Sequence, residues 1–174
     1  MFDACMAKFS RWGDESRTQL AEKVKQSTAT WKIVSPHYSS YNHYGENGMN
    51  KWFNTLRGLG VRVWLNGHTH GEKHDYSASL GIHCLENGAG GGIQSESASG
   101  IPRYAASYVK NVWTYTSGEY GFMSLQASKE WIKLQYHTAD SSWVYFGRDF
   151  ASTTIGGVAT KHCWYIPIDG TEGR

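Results

Sequence analysis

Several features that mark whole protein classes are missing from this sequence. No run approaches the ~18 uninterrupted apolar residues of a membrane-spanning helix. Neither sign of charge dominates: 17 Lys+Arg stand against 15 Asp+Glu, a formal net charge of +2. Phosphate backbones and anionic lipid surfaces demand a clear basic surplus, so neither nucleic acid nor a membrane is expected as a partner. Proline is scarce, with 3 in 174 residues, and no repeat, linker or low-complexity tract divides the chain, so one domain is the simplest reading. The three cysteines, Cys5, Cys84 and Cys163, lie too far apart for a CxxC zinc motif and allow at most one bridge. No Asn-x-Ser/Thr glycan acceptor occurs, and the opening residues lack a basic segment followed by an apolar one, so no signal peptide is expected in them.

What is present suits a folded domain rich in strands. Apolar residues make up 40% and aromatics 14%, including 8 Trp and 11 Tyr, which favour strands and half-buried faces. Glycine, at 20 residues, is above the usual share of roughly 7%. Periodicity predicts a helix over residues 14–26 capped by Asp14 or Ser16, with Leu20, Ala21 and Val24 on one face. A short strand over 30–34 follows and stops at Pro36. A polar loop spans 39–48, and a second helix is expected over 49–59, with Met49, Trp52, Phe53 and Leu56 on one face and Gly58 or Gly60 closing it. An apolar strand over 61–66 then runs into Gly67-His68-Thr69-His70-Gly71. This helix–strand–loop–helix–strand order has the rhythm of a layered α/β sheet. Beyond it, a strand is expected over 82–86, an irregular loop over 95–117, and an antiparallel meander of strands at 121–127, 131–137 and 143–147.

The residues with the clearest chemistry are histidines at strand ends. Neutral imidazole is a common ligand for borderline metals. His68 and His70 would point to opposite sides of a regular strand, so they can serve one metal pair only where the chain breaks into a turn, which Gly67 and Gly71 permit. His37, in Ser35-Pro36-His37-Tyr38, ends the preceding strand, and parallel strand order would bring it beside His68 and His70. The plainer reading of each is a loop histidine with satisfied hydrogen bonds. Strand ends in open α/β sheets are where ligands usually sit.

The run Trp31-Lys32-Ile33-Val34-Ser35-Pro36-His37-Tyr38, the helix after it and the later Gly67-His68-Thr69-His70 resemble the C-terminal half of calcineurin-like metallophosphoesterases. Within that superfamily they most resemble the purple acid phosphatase branch. Leu85-Glu86-Asn87-Gly88-Ala89-Gly90-Gly91 resembles the family's glycine-rich turn. Tyr120-Gly121-Phe122-Met123-Ser124-Leu125 and Trp131-Ile132-Lys133-Leu134-Gln135-Tyr136 resemble its closing hairpin. The resemblance is strongest over residues 14–150 and implies a partial phosphoesterase domain over 1–174. The implied fold is α/β, the C-terminal half of a four-layer αββα sandwich ending in an antiparallel β meander.

The resemblance also implies a function: hydrolysis of a phosphate ester by water at a two-metal centre holding divalent or trivalent ions such as Fe, Zn or Mn. It assigns His37 and His68 to one metal and His70 to the other, and places His43 as a catalytic residue facing the leaving group, able to protonate it. The family's metal-binding Asp, bridging Asp and Asn occur nowhere here in their required contexts. Three imidazoles alone do not offset the repulsion of two close cations. The chain is therefore expected to be the second half of such a centre, inactive by itself, with the missing N-terminal half of its own domain as a partner beside the phosphate-ester substrate.

Two other readings stand beside this one. One is a non-catalytic β-rich binding domain on a degenerate phosphoesterase scaffold, the other a mononuclear zinc hydrolase using three histidines. Other motifs point less far. Gly88-Ala89-Gly90-Gly91-Gly92 lacks the Lys-Ser/Thr of a P-loop. His74-Asp75 has the wrong offsets from His68 for a metallo-β-lactamase. His83 and Cys84 read as packed residues, and the aromatics Trp131, Tyr136, Trp143 and Tyr145 as core of a two-layer sheet.

Overall fold

The computed structural model describes residues 10–90, 98, 100–115, 120–139 and 157–174. It is an α/β fold of two helices, a mixed five-stranded sheet and a three-stranded antiparallel sheet. The helices are α1 (Ser10–Gln26) and α2 (Gly45–Leu56). The strands are β1 (Ile33–Val34), β2 (Val63–Asn66), β3 (Glu72–Ser77), β4 (Ile82–Asn87), β5 (Lys110–Tyr115), β6 (Gly121–Ala127), β7 (Trp131–Ala139) and β8 (Val158–Pro167).

The first sheet has the order β1-β2-β4-β3-β5. The β1–β2 and β2–β4 pairs are parallel, whereas β3 runs antiparallel to both β4 and β5. The second sheet is β6-β7-β8, antiparallel throughout. Side-chain alternation along the first sheet builds two cores. Trp64, Ile82 and Cys84 face the helices and pack with Met49, Trp52, Phe53 and Leu56. Val63 and Leu85 face the other way, onto Ile132, Leu134 and Ile166 of the second sheet. The described layers are thus helices, sheet, sheet. The buried face of α2 repeats at i, i+3, i+4 and i+7, as an amphipathic helix requires. Each of those large side chains, fully buried, contributes about 1.5–3 kcal/mol.

Several expected boundaries move. The first helix starts at Ser10, so Asp14 lies inside it instead of capping it; its carboxylate pairs with Arg17, one turn on. The strand expected over 30–34 shortens to two residues, and α2 begins four residues early, at Gly45. Its end comes at Leu56, three residues before the expected 59; the chain leaves the helix at Arg57, and Gly58 follows with a φ of 73° that is costly for any other residue.

The loop expected over 95–117 instead holds a 3-10 turn at Arg103–Ala105 and strand β5. No strand is expected over 72–77, yet β3 runs through the middle of the first sheet with all six residues buried. The meander's first two strands lie where expected, with β7 longer by two residues. The strand that completes the described sheet is β8; the expected one at 143–147, with Trp143 and Tyr145, lies outside the described residues, as do Cys5, Gly91 and Gly92.

The burial of β3 has a physical reason that local hydropathy does not carry. Its sequence, Glu-Lys-His-Asp-Tyr-Ser, reads as a surface segment, but all of its polar side chains find partners for at least one atom. Toward the helices, Lys73 Nζ lies 2.8 Å from Asp75, which also accepts hydrogen bonds from Tyr41 Oη and from Asn111 Nδ2, the latter at 2.8 Å. Toward the second sheet, Glu72 accepts a hydrogen bond from the Ala89 N–H at 3.2 Å, and His74 sits between two other imidazoles. Buried charge is tolerated only when paired in this way.

Candidate functional site

The parallel pairing of β1 with β2, Ile33 opposite Val63 and Val34 opposite Trp64, brings the segments after both strands to one edge of the sheet. Backbone bonds join them there: the N–H groups of Gly67 and His68 both donate to the His37 carbonyl, at 3.3 and 3.0 Å. This tie places His37 Nε2 and His68 Nδ1 3.1 Å apart. His43 stands edge-on to His68 with ring centroids 4.7 Å apart, and Tyr38 lies 4.2 Å from His68 and 5.2 Å from His43. Three of the four expected site histidines, His37, His43 and His68, are therefore gathered. His70 lies two residues beyond His68 in the same turn and is half-buried.

Two features hold this edge in shape. Gly88 packs so closely on the turn that a Cβ there would land on the Thr69 carbonyl. The loop carrying His43 is fastened at three points. Ser39 Oγ accepts from the N–H groups of Tyr41 and Asn42, Tyr104 Oη donates to the carbonyls of the same two residues at 3.0 and 3.3 Å, and Tyr41 Oη donates to Asp75. Burial, with the Asp75 charge beside it, drives the Tyr41 phenol well above its usual range, so it stays a donor.

The electrostatics favour neutral imidazole at His43. Its pKa is lowered by burial first, then by the positive forms of His68 and His37 and by Lys73. Burial pushes the Glu72 carboxyl up to about 8, so it is protonated at neutral pH. Three buried polar atoms near this end of the sheet, His43 Nδ1, Asn66 Nδ2 and Glu72 Oε2, have no hydrogen-bond partner among the described residues.

The donor set can be set against a metal. Two ligands on one cation with bonds of about 2.0–2.1 Å lie roughly 2.9–3.4 Å apart, from octahedral to tetrahedral angles. The 3.1 Å between His37 Nε2 and His68 Nδ1 falls in that window, so this pair fits one ion. Among the described residues, no group of three or more His, Cys, Asp or Glu is arranged to hold a metal ion. The fit is that of an incomplete cage.

Sequence reasoning missed Tyr38 as a wall of the site, Asn66 beneath it, and the Tyr41–Asp75–Lys73 anchor of the His43 loop. Tyr38 had a signal in its place next to His37. The anchor had none, because it depends on β3 being inside. His83 and Cys84 are buried as expected, but His83 also bonds to His74 at 2.8 Å. No protein-family model matches the chain, and no curated protein matches it either.

Proposed function

We propose that this chain carries the imidazole half of a metal-dependent phosphoric ester hydrolase centre of the calcineurin-like, purple acid phosphatase-like kind. The observation that carries the reading is the His37–His68 nitrogen pair, 3.1 Å apart at the carboxyl end of two parallel strands. In it, His37 and His68 hold one ion and His70 the other. Bound metal would polarise the ester and supply hydroxide at neutral pH. The chain's own part is to position: His43 in its imidazolium form, which grows as the pH falls toward its lowered pKa, donates a proton to the departing alkoxide, and Tyr38 packs against both His43 and His68, limiting their rotation.

The same reading extends the fold. The helix–sheet–sheet layers become part of a four-layer αββα sandwich, in which a further polypeptide segment brings the second helical layer and the carboxylates that bridge two cations. The 174-residue chain alone would then bind metal weakly and hydrolyse little. The hydrogen-bond distance between His37 and His68 also favours a second reading, a non-catalytic binding domain in which the two rings satisfy each other.

Cobalt(II) titration followed by visible absorption separates the readings. Binding that disappears in both His37→Ala and His68→Ala, with p-nitrophenyl phosphate hydrolysis only when the complementary segment is present, supports the hydrolase half. One tightly bound ion per chain with hydrolysis by the chain alone favours the mononuclear alternative. No cobalt binding at millimolar metal, with both variants folded, leaves the non-catalytic domain.

A further inference from the structure

A second group of histidines lies away from this edge, between the two sheets. His74 in β3 and His83 in β4 are fully buried, and His162 in β8 is half-buried. His162 Nε2 lies 3.0 Å from His74 Nδ1, His74 Nε2 lies 2.8 Å from His83 Nδ1, and His83 Nε2 lies 3.5 Å from the Thr171 carbonyl oxygen. Aromatic rings fix the planes. Trp113 stacks on His162 at 4.5 Å and 6°, Trp164 meets His74 edge-on at 5.6 Å, and Tyr76 lies against His83 at 4.8 Å.

The carbonyl at one end sets the direction of the whole chain. A carbonyl oxygen only accepts, so His83 Nε2 carries the hydrogen. Neutral His83 then accepts at Nδ1, which requires a hydrogen on His74 Nε2, and His74 in turn accepts at Nδ1 from His162 Nε2. Five of the six ring nitrogens are used, and all three rings are Nε2–H tautomers. The nitrogen left over is His162 Nδ1. A first proton can enter there without breaking a bond. A second must take Nδ1 of His74 or His83, which destroys an N–H···N bond and sets two like charges in one dry interface.

We propose that the His162–His74–His83 chain is an acid-opened latch, holding β8 and the C-terminal segment 168–174 against β3 and β4 while neutral and releasing them when a second proton enters. The surrounding charges do not remove that penalty. Facing the chain are Glu72 and Tyr76 from β3, Tyr136 from β7, Lys110 of β5 in an ion pair with Glu172 at 2.5 Å, Arg62 before β2, and Asp169 of the tail. Arg62 and Glu172 act on His83 with opposite sign. Burial lowers all three imidazoles, His83 and His162 to about 4 and His74 well below its ordinary value, so the latch is closed at neutral pH. The inference does not rest on the phosphoesterase reading and uses none of its residues.

The test is nuclear magnetic resonance on the 174-residue chain with 15N-labelled histidine, followed by amide exchange as the pH is lowered. The latch requires Nε2–H tautomers at His74, His83 and His162 at pH 7.5. It also requires loss of β8 amide protection in an acid transition that takes up about three protons, one for each imidazole set free. His162→Phe keeps the stack on Trp113 but removes one of the three imidazoles, so the same transition should broaden to an uptake of about two protons. His74→Leu should leave His162 a mixture of tautomers and reduce β8 protection already at neutral pH. An Nδ1–H tautomer at His74 or His83 in the parent chain would overturn the proposal. So would an acid transition of unchanged slope in His162→Phe, and these two results decide the matter even where His74→Leu fails to fold.

Discussion

Two groups of three histidines lie against the first sheet, one beyond the ends of its strands and one on the face it turns to the second sheet, and their surroundings separate them. At the strand-end edge, His37, His43 and His68 meet ring against ring on half-buried loops, joined by one nitrogen–nitrogen contact. Between the sheets, His74, His83 and His162 form a directed chain in which nearly every nitrogen is used. In the first group, His43 Nδ1 is buried with no partner among the described residues, and a nitrogen not spent on the fold is what a ligand needs. The second has spent its capacity on the fold.

The largest expected effect falls on the strand between the two groups. Asp75→Ala removes one buried carboxylate from Lys73, Tyr41 and Asn111 at once. It should cost about 3–5 kcal/mol in urea unfolding, and a loss under about 1 kcal/mol would mean that the buried pair matters little. Next comes acid. Burial holds His83 at about 4 in the fold, against about 6.5 when unfolded, so the unfolded chain binds more protons between those values. Stability is full above about pH 6.5 and falls as the pH drops toward 4, by about 3 kcal/mol from His83 alone. In His83→Gln, the slope of unfolding free energy against pH should flatten over that window.

Smaller effects are expected at the edge. Gly88→Ala drives a methyl group into the Thr69 carbonyl and should cost about 1–3 kcal/mol by thermal unfolding, while shifting the ring resonances of His68 more than those of His74. Last, His68→Ala removes a half-buried ring whose bonds lie at a loop end. It should change stability by no more than about 0.5 kcal/mol while abolishing cobalt binding. A large stability loss there would erase the contrast between the two groups.

Much of this was open to reading from the chain itself. The period of α2, the apolar β2 and β4, and the alternating β6 and β7 all follow from where their apolar residues fall. The meeting of His37 with His68 follows from two parallel strands ending together. What escaped was polar and inside: β3, whose charges find partners only in the folded state, and β5, where Trp113 and Tyr115 sit among polar neighbours. His74 and His83 are nine residues apart and His162 is 88 residues from His74. No local spacing joins them; only the packing of one sheet on the other does.

The alternation of β3 also bears on how this protein tolerates change in length. Most strands are kept in register by an apolar face that must not be wetted, and a slip of one residue turns every side chain to the opposite side. In β3 such a slip would not expose oil to water. It would carry Lys73 and Asp75 in among the imidazoles between the sheets and His74 in beneath the helices, taking from Tyr41 the carboxylate that accepts its hydrogen bond. The strand is proofread by charge and hydrogen bonding on both faces at once, so single insertions or deletions anywhere in residues 72–77 should be far less acceptable than its hydrophilic sequence suggests.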